Sequence, residues 1–267
     1  MGFALVFTMV ALGVAVVVSQ HLAAKRKQRQ QEALPEGVSE FMGDAEIDPE
    51  TAAVSGTIDG FAATFRLTSR GAGSNSESWS ECDVVVATDL LDIELRPQTR
   101  REERTVEEGL ARDVLVQEKT FDDHFIVEAA PPDAARQALG ESVRECLLDL
   151  HPCEVTATDE GIRLAKKGWI EEPEAIRAFI DTAVLLATAI QETTGQLRDA
   201  RRKETALAGY RGGSADGERE LVEQARAETA DLRALRGKRK EAEKAERTMI
   251  IVGLVALVVL LMAVQMC

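Results

Sequence analysis

The sequence predicts an α+β protein: a small antiparallel sheet packed against two helices, flanked by an N-terminal and a C-terminal transmembrane helix. Three observations carry this. Residues 1–20 and 248–267 contain no charged side chain, and twenty helical residues span about 30 Å, the thickness of a hydrocarbon core. Residues 54–67 alternate apolar and polar with the period of two that marks half-buried strands. Residues 133–150 and 173–197 repeat apolar positions at spacings of three and four, as helices do.

Composition narrows the class. The chain has 267 residues, 45% hydrophobic and 4% aromatic, with a net charge of −14. That apolar fraction is too high for a disordered chain. Four cysteines do not make a disulfide scaffold. The acidity argues against a nucleic-acid binder, which needs a basic face.

The first apolar segment lacks the basic n-region of a secretory signal peptide; Lys25, Arg26, Lys27 and Arg29 follow it instead. Val6 and Cys267 do not fit lipidation signals. Arg233, Arg236, Lys238, Arg239, Lys240, Lys244 and Arg247 precede the second segment. By the positive-inside tendency both flanks belong in the cytoplasm. The expected organisation is a span over 1–20, a basic and polar linker over 21–50, and a cytoplasmic α+β domain over 51–197. A charged helical stalk follows over 198–247, with a Gly-rich break at 209–217, and then a span over 248–267. The expected location is a bacterial inner membrane, with the lipid bilayer as one partner.

Charge is polarised. Residues 31–118 carry 7 basic and 20 acidic side chains, and residues 119–197 carry 7 and 15. Residues 198–248 carry 14 and 11. An acidic body thus stands on two basic stems, an arrangement that would hold it off an anionic surface or serve solubility alone.

Along the body, Asp59-Gly60 is a candidate tight turn between strands. Residues 71–78 read as a loop, and 79–95 as two short strands or one interrupted strand. Residues 97–108 read as a solvated charged loop, and 113–116 as a short strand. Asp133 is a candidate cap for a helix ending near Leu150. Asp159-Glu160-Gly161 is the turn of a hairpin, and Pro173 opens a long helix with Ile176, Phe179, Ile180, Ala183, Val184 and Ile190 on its apolar face. Leu221, Ala225, Glu228, Leu232 and Leu235 follow a 4-3-4-3 spacing, a short coiled-coil pattern or the face of a plain solvated stalk.

Residues 114–192 resemble a group of bacterial membrane-associated proteins defined only as a domain of unknown function. The shared pattern is F-D-x-x-F-x-V, here Phe121, Asp122, Phe125 and Val127. An Ala/Arg/Leu helix, a Gly161-Ile162-Arg163-Leu164 hairpin and a Leu/Ala-rich helix follow. The resemblance implies an α+β fold on a membrane tether and carries over no catalytic residue.

Chemistry is sparse. Asp122, Asp123 and His124 form either an acid/base or metal cluster or a capped turn; the turn is the simpler account, because adjacent residues seldom converge on one ion. Cys146, His151 and Cys153 have C-x4-H-x-C spacing without a second pair of ligands, and Cys82 stands apart. These thiols are expected to stay free in a reducing compartment. Glu102, Glu103, Glu107 and Glu108 read as a solvated run. No phosphate loop or nucleophile elbow is present. No catalytic, cofactor or metal residue is assigned, and no cofactor. The expected function is a membrane-tethered, non-enzymatic scaffold or adaptor that binds a protein partner and no nucleic acid. The alternatives are a small-ligand sensor signalling through the stalk and a membrane-bound enzyme.

Overall fold

A computed structural model describes residues 37–210, apart from 49, 52, 72–75, 89, 110 and 112, and residues 227, 230–242, 244–246, 248 and 249. Its strands are β1 (Gly43–Asp48), β2 (Ala53–Ile58), β3 (Phe61–Arg70), β4 (Glu77–Val84), β5 (Asp92–Pro97), β6 (Phe125–Ala130), β7 (Cys153–Thr158) and β8 (Gly161–Lys167). Its helices are α1 (Arg100–Glu107), α2 (Lys119–Asp122), α3 (Pro132–Ala138), α4 (Glu141–Asp149), α5 (Pro173–Tyr210) and α6, residues 230–242.

This corrects the expected fold class. The sheet is not small: eight strands run in the order β1-β2-β3-β4-β8-β7-β5-β6. Among the described residues no helix is long and apolar enough to cross a membrane. The two-span integral membrane arrangement, and the bilayer as a partner through two spans, are therefore withdrawn. The apolar segments themselves, 1–20 and all of 248–267 except Thr248 and Met249, lie outside the described residues. So do residues 211–217 of the expected Gly-rich break, and Leu221 and Ala225.

The strands divide between two compact units. The first contains β1, β2, β3, β4, β8 and the part of α5 up to Ala187. Its sheet is antiparallel throughout. Asp59 and Gly60 turn β2 into β3 with φ of 50° and 84°, the two left-handed residues of a type I′ hairpin. One face is apolar because β registers align Val54, Phe65, Cys82 and Leu164 across four strands, each fully buried. Phe179 of α5 meets Phe65 edge to face at 6.1 Å between ring centroids.

The second unit contains β5, β6 and β7, helices α1 to α4, the rest of α5 and α6. β5 pairs antiparallel with both β6 and β7. Ile93, Leu95, Val127, Ala129, Val155 and Ala157 share its apolar face and are buried. The outer edge of β6 is covered by residues 113–116: the Val114 amide donates to the Val127 carbonyl at 2.7 Å, and Asp113 Oδ1 accepts from the Val127 amide at 3.0 Å. The expected helix over 133–150 is two helices, because Leu139 leaves the helical region (ψ 53°) and Gly140 starts α4. The expected charged loop is helix α1: Thr99 Oγ1 accepts from the Glu102 amide at 3.3 Å, an N-cap.

Candidate functional site

The residues singled out in the sequence do not converge. Phe121 and Phe125 are buried and stack at 4.9 Å between centroids. Asp122 leaves the turn inward, where Oδ1 accepts from the Val116 amide at 3.0 Å. Asp123 and His124 are exposed. His124 Nδ1 lies 2.7 Å from the Thr120 carbonyl, so the ring is held by its own helix turn. His151 packs edge to face on both His124 and Phe125. Cys153 is buried and its thiol donates to the Leu147 carbonyl at 3.7 Å, while Cys146 is half-buried on α4. Cys82 sits in the core of the first unit, where burial pushes its thiol up to about 12. Among the described residues no three His, Cys, Asp or Glu side chains could share a metal ion.

The structure assembles a different group, in the second unit. β5 reads Asp92-Ile93-Glu94-Leu95-Arg96, so its odd residues enter the core and its charged residues face away. Glu94 lies directly opposite Glu128 of β6. Two like charges in cross-strand register repel, and Glu128 is fully buried. The pair is held by arginines. Arg96, on the same strand face, donates to Glu128 Oε1 and to Glu102 of α1.

The other arginines come from α6, more than a hundred residues further along. Arg239 donates to Glu94 Oε1 at 2.6 Å and to Glu128 Oε1. Arg236 Nη1 donates to Asp92 Oδ1 at 2.6 Å, and its Nε is 2.6 Å from Glu94 Oε2. Arg233 lies at the rim, 3.3 Å from Asp159. Leu232 is buried one turn before Arg236. Leu232, Arg236 and Arg239 stand at i, i+4 and i+7, one stripe of a helix. Lys238, Lys240 and Lys244 are exposed.

Burial pushes the Glu128 carboxyl above its usual range, against the pull of Arg96 and Arg239. Arg239 loses solvation too, but Glu94 and Glu128 raise its affinity for its proton. Hydrogen bonding is incomplete: Asp92 Oδ2, Glu128 Oε2 and Arg236 Nη2 are buried with no hydrogen-bond partner among the described residues, while Arg96 Nε and Arg236 Nε meet Glu94 as ion pairs at 3.2 and 2.6 Å without hydrogen-bond geometry.

None of these residues was singled out as a site in the sequence. The charged residues of β5 follow an alternation that normally means solvent, and Arg236 and Arg239 sit in a basic run. The available signals were local: Thr99 and Glu102 in T-x-x-E spacing, and Leu232 in register with two arginines.

Fold and site together define an α+β module whose sheet carries an acidic face occupied by an arginine-bearing helix of the same chain. No protein-family model and no curated protein matches the sequence. Among solved structures, the chain is similar to the crystal structure of the mycobacterial trehalose monomycolate transport factor A, TtfA, at 15% identity and a TM-score of 0.30, over 58% of this chain and 76% of that one. A likeness at that level carries no argument about fold or function.

Proposed function

We propose that the chain is a non-enzymatic adaptor whose second unit receives a helix presenting arginines at i and i+3 behind a leucine. One observation supports it above the others: Arg236 and Arg239 of α6 are held by three carboxylates, Asp92, Glu94 and Glu128, on adjacent strands. Such a face is a poor device for stability alone. Desolvating charges costs several kcal/mol per ion, and apolar replacements of similar volume are often as stable or more so, by ~1–4 kcal/mol. What buried charges offer is discrimination: a helix lacking the arginines leaves the carboxylates unpaired. The unsatisfied polar atoms lower the stability of the docked state further, which suits an occupant that exchanges.

The test uses the full chain and a labelled peptide of residues 230–246. In wild type the face is occupied, so the peptide binds weakly. In R236E/R239E the tethered helix is repelled and the peptide binds saturably. Adding Glu94→Lys removes that binding by more than about thirtyfold, the loss expected when one member of a desolvated charge pair goes. Equal peptide binding to all three proteins would refute the proposal.

A further inference from the structure

The first unit ends its sheet on β1, which pairs with β2 and with no other strand among the described residues. All six β1 residues are exposed. Half of the backbone N–H and C=O groups of an edge strand point away from its one neighbour and can accept another strand.

Two side-chain rows run across the sheet and stop at this edge. On the core face the row is Leu164, Cys82, Phe65, Val54 and Ile47. The first four are fully buried, whereas Ile47 is 40% exposed. On the other face the row is Arg163, Asp83, Thr64, Ser55 and Glu46. Its members pair in sequence: Arg163 Nε donates to Asp83 at 2.6 Å, and the Ser55 and Thr64 hydroxyls share a hydrogen bond of 2.9 Å. Glu46 ends the row without such a partner among the described residues. A sixth strand would complete both rows with an apolar residue beside Ile47 and a basic residue beside Glu46.

The same residues exclude a second copy of this chain as the occupant. β1 carries Asp44, Glu46 and Asp48, and two such strands side by side would set carboxylate against carboxylate. Asp44 has φ of 52° and the β1 register shifts between Gly43 and Glu46. This bulge confines pairing to the Glu46–Asp48 end.

We infer that β1 is a strand-addition site for an extended peptide segment of a partner protein in which a basic residue alternates with an aliphatic one. The backbone supplies attraction, Ile47 and Glu46 supply register and sign. This site lies in the first unit and stands or falls independently of the arginine-helix face.

The probe is a labelled peptide, acetyl-Ser-Lys-Val-Lys-Val-Lys-Ser-amide, titrated against the full chain by fluorescence anisotropy. Saturable binding is expected, with amide protection gained at 45–48 in hydrogen exchange. Glu46→Lys and, separately, Ile47→Lys should each weaken it by at least about tenfold. A peptide N-methylated at every inner residue should fail to bind, because it keeps the charge and loses its backbone donors on both edges. Absence of binding, equal binding by the N-methylated peptide, or indifference to both substitutions would overturn the inference; the second outcome would mean adsorption to the chain's net negative charge.

Discussion

At the scale of single residues, two buried glutamates work in opposite senses. Burial pushes Glu81 up, but hydrogen bonds from Thr68 and Arg70, the Arg70 charge and Arg66 outweigh it, and its carboxyl lies below the ordinary value of 4.5. Such a group stabilises the fold above its unfolded pKa and loses that contribution as pH falls through its folded pKa. Glu128 is raised from 4.5 by burial. Between 4.5 and the folded value the native form binds more protons than the unfolded form, so its contribution declines as pH rises from 4.5 through the folded value. Denaturant unfolding of wild type, E81Q and E128Q between about pH 3 and 8 separates the two. E81Q should cost about 2 kcal/mol at neutral pH, the worth of hydrogen bonds to a charged group, and the difference from wild type should shrink as pH falls below 4.5 through the folded value. E128Q should remove the decline above 4.5. A third expectation concerns Cys82: with a thiol at about 12 and full burial, it should resist alkylation in the native state and react only on unfolding.

At the scale of elements, β1 shows why some strands are hard to read. Its residues, Gly-Asp-Ala-Glu-Ile-Asp, carry too little apolar character to stand out from a linker. Its place is set by what receives it. Gly56 on β2 has no room for a side chain: a Cβ there would lie 2.8 Å from the Gly43 carbonyl oxygen and 2.8 Å from Met42 Cβ. Gly56→Ala should therefore cost about 1–3 kcal/mol, the usual range for overpacking, and should abolish hydrogen-exchange protection across β1 before affecting β3 and β4. α6 is the other element whose surroundings decide its meaning. Read alone, Arg233 to Lys244 is a basic run; only the acidic face of β5 and β6 turns Leu232, Arg236 and Arg239 into a docking stripe.

At the scale of the whole molecule, local pattern carried further than long-range pairing. Asp59-Gly60, the Asp159-Glu160-Gly161 turn, the strands within 54–67 and the helix from Pro173 follow from spacing alone. β6 is buried on both faces, so it lacks the alternation of a half-buried strand. The strand order and the acidic face depend on pairings between residues far apart in sequence, such as Glu128 with Arg239, which no local period announces. The expected membrane spans rest on the apolar ends, outside the described residues, and among the described residues no helix is long and apolar enough to cross a membrane.

The docking of α6 is tested most directly by hydrogen exchange on the full chain, comparing wild type with R236E/R239E. Wild type should show amide protection over 230–242 that is lost in the variant, with faster exchange in β5 and β6 and no change in β2, β3 or β4. Unchanged protection over 230–242, or loss spread evenly over all strands, would contradict an arginine helix held on the acidic face by its charge.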